Sequence, residues 1–84
     1  MENNGYHLTD IERGEVGEFS KIVEEFNELQ DAHTQNSPIM ELVEISDLIG
    51  AIELYTTNKY NITLTQVLRM KDATERAFKN GYRE

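Results

Sequence analysis

Two pairs of carboxylates are spaced for chemistry. Glu25 and Glu28 lie three residues apart, as do Glu44 and Asp47. On a helix that spacing puts both side chains of a pair on one face, about 5–6 Å apart at Cβ. Glu44 is flanked on the helical wheel by Met40, Leu48 and Ala51, and Asp47 by Val43, Ala51 and Leu54. Both acids therefore interrupt apolar surface. Glu25 and Glu28 share a stripe with Lys21 and Ala32, bordering the apolar position Leu29. A buried carboxylate without a partner is costly, and four converging ones repel one another. Lys21 is the single basic neighbour on the first stripe, so a divalent cation answers the conflict best. Oxygen donors with no cysteine and no histidine cluster select Mg²⁺, with Mn²⁺ as a substitute, over zinc. The acids lie within helices, which excludes an EF-hand loop. By helix propensity alone, Glu24, Glu41 and Glu53 read as solvated helix surface.

Three helices must hold these groups. Val16, Phe19, Ile22, Val23, Phe26 and Leu29 recur at helical spacing and predict a first helix over 15–33, bracketed at its start by Gly14 and Gly17. Ser37 is a preferred N-cap and Pro38 suits the first helical position, so a second helix is predicted from there to about residue 56. Thr63 and Gln66 form a capping box for a third helix reaching residue 80, with Gly81 at its C′ position. Residues 1–13 are polar and without period, and read as an arm ahead of a helical domain over 14–84. The short connections predict antiparallel neighbours.

In the second helix, 11 of the 17 residues from Ile39 to Tyr55 are apolar, and they surround the axis. Such a helix needs cover on most sides. A chain of 84 residues buries only about 60–65% of its unfolded surface, and three helices from one such chain hardly suffice to enclose the second. The fold expected is therefore an all-α bundle of three main helices per chain, completed as a homodimer or dimer of dimers. With no cysteine, disulfides do not contribute. The net charge of −8 argues against a nucleic-acid polymer or an anionic membrane surface as partner. No apolar run is long enough to span a membrane and no signal peptide is visible, so a cytoplasmic protein is expected. The sequon Asn61-Ile62-Thr63 is accordingly read as chance.

The motifs resemble a known family. Glu24-Glu25-Phe26-Asn27-Glu28 is similar to the EExxE motif of the all-α nucleoside triphosphate pyrophosphatases, and Glu44-Ile45-Ser46-Asp47 to their ExxD motif. That superfamily includes MazG-type enzymes, dimeric dUTPases and phosphoribosyl-ATP pyrophosphohydrolase. The likeness covers roughly residues 14–84 and is nearest to short, phage-type members. It implies Mg²⁺-dependent cleavage of a nucleotide between its α and β phosphates, giving a nucleoside monophosphate and pyrophosphate. The family's ligands carry over onto Glu25, Glu28, Glu44 and Asp47. Glu24 and Glu41 are candidates for the base that orients the attacking water.

The charge is divided unevenly, at −10 over residues 1–68 and +2 over 69–84. Related enzymes clamp phosphates with a Lys and an Arg of the third helix. Lys71 and Arg76 match best, with Arg83 next, and Lys71 is expected on the packed side near Leu64 and Phe78. Arg69 and Lys79 read as complements to the helix dipole. Lys21 could touch a phosphate or pair with Glu25. Tyr6 and His7 of the arm could cover a neighbouring subunit's site. A different class, an acidic interaction protein of the DNA-mimic type, would display its acids on a polar outer face. A third possibility is a metal-stabilised helical oligomer without catalysis.

Overall fold

The computed structural model describes Leu8 and residues 10–79, with only the backbone of residues 77 and 78. It is all-helical, with α1 over Phe19–Thr34, α2 over Pro38–Tyr60 and α3 over Leu64–Lys79, and no strand among the described residues. The local stop signals account for each boundary. α1 begins at Phe19 rather than residue 15 because Gly17 has φ +88°, which no right-handed helix accommodates. Asn36, with φ 59°, closes α1, and the amide of Ser37 reaches back to the carbonyl of Ala32 at 3.4 Å. The Ser37 hydroxyl then caps α2 by accepting from the Met40 amide at 3.4 Å.

α2 continues four residues beyond the predicted end. It stops at Asn61, again left-handed at φ 58°. The hydroxyls of Thr56 and Thr57 both donate to the Ile62 carbonyl, at 3.1 and 3.3 Å, and fasten the exit. The capping box of α3 is present in both directions. The Thr63 amide donates to Gln66 Oε1 at 2.9 Å, and the Gln66 amide to Thr63 Oγ1 at 3.2 Å.

α1 and α2 pack antiparallel along their length. His33 near the end of α1 meets Glu41 near the start of α2, while Phe19 at the start of α1 stacks edge-on against Tyr55, ring centroids 5.7 Å apart. The Asn58 amide also donates to the Gly17 carbonyl at 3.2 Å. α3 touches α2 only sparsely and α1 not at all among the described residues. Within one chain, therefore, the third helix does not pack antiparallel against the second as its short connection predicted. The radius of gyration is 15.1 Å, against about 12 Å for a compact chain of this length.

The interior is inverted relative to an ordinary small domain. Among the described residues, the buried apolar side chains are Ala32 and Ala51, and the buried polar ones are Glu24, Glu25, Asp31 and Glu44. Six large apolar residues of α2, Ile39, Leu42, Val43, Ile45, Ile49 and Leu54, are exposed, Ile39 by 76%, while Met40, Leu48 and Ile52 are half-buried.

Candidate metal centre

The α1–α2 seam brings the two carboxylate pairs together. One oxygen from each of Glu25, Glu28, Glu44 and Asp47 lies within 4.8 Å of the others. Glu44 is fully buried and Glu25 nearly so, Glu28 is intermediate, and Asp47 sits at the open edge. The arrangement follows from helix geometry: i, i+3 spacing on each of two facing helices presents four acids to one point. Alanine at positions 32 and 51 allows the two backbones to come close on the same seam.

The electrostatics show the strain of this assembly. Burial pushes the Glu28 carboxyl up to about 8, aided by the charge of Glu25 and by a hydrogen bond to, and the charge of, Glu44. Glu25 Oε2 accepts from Lys21 Nζ at 3.0 Å. Its Oε1 is buried with no hydrogen-bond partner, and such an orphaned acceptor is the atom a cation would satisfy. Donors that are all carboxylate oxygens fit a hard divalent ion.

Around the four lies a second set. Glu24, read from sequence as solvated surface, is buried. Burial works to raise its carboxyl. The Gly14 amide at 2.9 Å and the Lys21 ammonium at 3.0 Å outweigh that and hold it below the usual carboxylate range. Lys21 thus bridges Glu24 and Glu25. Burial acts to lower the Lys21 amine, but its hydrogen bonds to the two carboxylates raise it overall. Lys21 pairs with Glu25, one of the two partners considered for it, and with Glu24 as well.

Asp31, not singled out in the sequence, is also buried, and accepts from the Leu8 amide at 2.8 Å and from Gln35 Nε2 at 2.8 Å. Glu24, Glu28 and Asp31 recur at i, i+4 and i+7, a stripe that marks one helix face. That spacing was the available signal for both buried acids. The backbone of the N-terminal segment supplies one partner to each, the Gly14 amide to Glu24 and the Leu8 amide to Asp31, and no side-chain pattern announces it. A cavity of about 480 Å³ lies between this segment and α1, lined by Leu8, Ile11, Asn27, Gln30 and Asp31 among others.

Other candidates fall elsewhere. Glu41 faces His33, with Nδ1 and Oε2 3.3 Å apart, rather than the cluster. Lys71 is not on a packed side. It is exposed and pairs with Asp72 at 2.9 Å and Glu75 at 3.5 Å of its own helix. Arg76 is likewise exposed on α3. Arg83, Gly81, Tyr6 and His7 lie outside the described residues. No described helix is long and apolar enough to cross a membrane. No family model, curated protein or solved structure matches the chain.

Proposed function

We propose that this chain is a Mg²⁺-dependent nucleoside triphosphate pyrophosphohydrolase of the all-α type, cleaving between the α and β phosphates. The observation that carries the reading is the convergence of Glu25, Glu28, Glu44 and Asp47 from two helices, with Glu25 Oε1 buried and unsatisfied. Those four residues would hold the metal. When bound, the ion supplies positive charge to the phosphate oxygens and lowers the pKa of a coordinated water.

The chain's own groups set the rest. Asp47 sits at the exposed edge, where a triphosphate has access, while Glu44 and Glu25 close the inner side. Glu24 is kept ionised by the Gly14 amide and Lys21, so it can accept a hydrogen bond from a water and orient it. Lys71, Arg76 and Arg83 act as the phosphate clamp only if α3 folds over a seam, its own or a second copy's. A homodimer or dimer of dimers, in which exposed faces of α2 meet, gives α3 such a seam to cover. The burial of Glu24, Glu25, Asp31 and Glu44 disfavours the DNA-mimic reading, which needs those charges on the outside.

The deciding experiment measures pyrophosphate release from a panel of nucleoside triphosphates with Mg²⁺, with Mn²⁺ and with EDTA. Melting temperature is followed in parallel. Metal-dependent release of pyrophosphate with a monophosphate co-product is expected. Metal-dependent stabilisation with no turnover on any nucleotide would leave a structural metal site and overturn the enzymatic reading.

A further inference from the structure

The N-terminal segment is tied to the cluster through Gly14. Its amide donates to Glu24 Oε1 at 2.9 Å. The same oxygen meets Lys21 Nζ at 3.0 Å, and Lys21 Nζ reaches Glu25 Oε2 at 3.0 Å. Glu25 is left with Oε1 facing no donor. Backbone, carboxylate, ammonium and carboxylate thus form one continuous chain, ending on a candidate ligand. The approach is possible only at glycine, since a Cβ at position 14 would overlap the backbone of Ser20 and Lys21 in the first turn of α1. A second tie lies next to it, where the Glu15 amide donates to Ser20 Oγ at 3.0 Å.

We infer that Gly14 is a positioning residue for the metal centre: docked on α1, it fixes Glu24 and Lys21 so that Glu25 presents Oε1 to the cation. The inference rests on the metal reading of the cluster and adds a part of the chain that supplies no ligand. Partners behind a ligand set its orientation and shift metal affinity by about 10–100-fold when removed. Gly14→Ala changes no charge and touches none of the four carboxylates, so electrostatics alone predicts no effect on a cation.

The test titrates the full chain with Mn²⁺ alone, read by electron paramagnetic resonance, alongside far-ultraviolet circular dichroism and amide exchange. Gly14→Ala is expected to weaken Mn²⁺ binding roughly tenfold, with helicity kept and protection of the residue-14 amide lost. If that variant loses its helices, Ser20→Ala decides. It removes the neighbouring tie without a steric clash and is expected to give a smaller loss of affinity in the same direction. Unchanged affinity in the folded variant, with wild type binding Mn²⁺, overturns this inference and leaves the metal centre standing. A wild-type chain that binds no Mn²⁺ overturns both.

Discussion

Glu28 holds a proton at neutral pH when no cation is present, because its carboxyl is pushed up to about 8. The folded chain then binds a proton that the unfolded chain releases above about 4.5. Stability from this group is therefore full below that value and is lost as pH rises towards 8. A cation must displace the proton. Mg²⁺ affinity is expected to rise between about pH 6 and pH 8 with uptake of the ion matched by proton release, measured by calorimetry in buffers of different ionisation enthalpy. An affinity flat across that range would remove Glu28 from the ligand set. Glu44→Gln and Asp47→Asn keep shape and remove charge. Each is expected to lower pyrophosphate release by about a hundredfold or more while circular dichroism stays close to wild type. The two α2 acids were legible because they break an apolar surround on the wheel. Glu24 was not, because the group that buries it is the backbone of an aperiodic segment.

Elements whose ends are written in side-chain chemistry were legible one by one. Ser37 at α2 and the Thr63–Gln66 pair at α3 cap as their types predict. The ends set by backbone sign were not. Asn61 lies beyond the end predicted for the second helix, at about residue 56, yet α2 runs to Tyr60 and uses Asn61 as its left-handed stop. A β-branched residue there meets the steric penalty of that conformation. Asn61→Val is expected to destabilise the chain by about 1–2 kcal/mol, while Asn61→Gly is tolerated, compared by thermal melting. Equal melting of the two variants would show that the turn re-forms another way.

At the level of the whole molecule, the wheel of α2 forecast a helix needing cover on most sides, and one chain does not provide it. Leu42 is 66% exposed and Ile49 45%. On the oligomeric reading proposed above, these exposed residues are where a second copy would seat. A second copy seated there predicts melting that rises with concentration. Leu42→Glu is expected to shift sedimentation towards the single chain and lower the melting temperature. A wild type that sediments as a monomer at every concentration would contradict this. Which face of α2 a second copy would cover was not legible, since apolar positions around its full circumference name no unique face.

Ala32 lies one turn beyond Glu28, and Ala51 one turn beyond Asp47. Because α1 and α2 run antiparallel, these two methyls stand at opposite ends of the acid cluster, both buried. If the four acids hold a cation as proposed, the small size of these two buried residues would limit how far apart the helices stand and so how wide the oxygens can spread. Enlarging either one with Ala32→Val or Ala51→Val should tilt preference from Mg²⁺, which wants ligands at about 2.1 Å, towards Ca²⁺ at about 2.4 Å. Ionic-radius discrimination in this fold would then be written in its smallest buried residues.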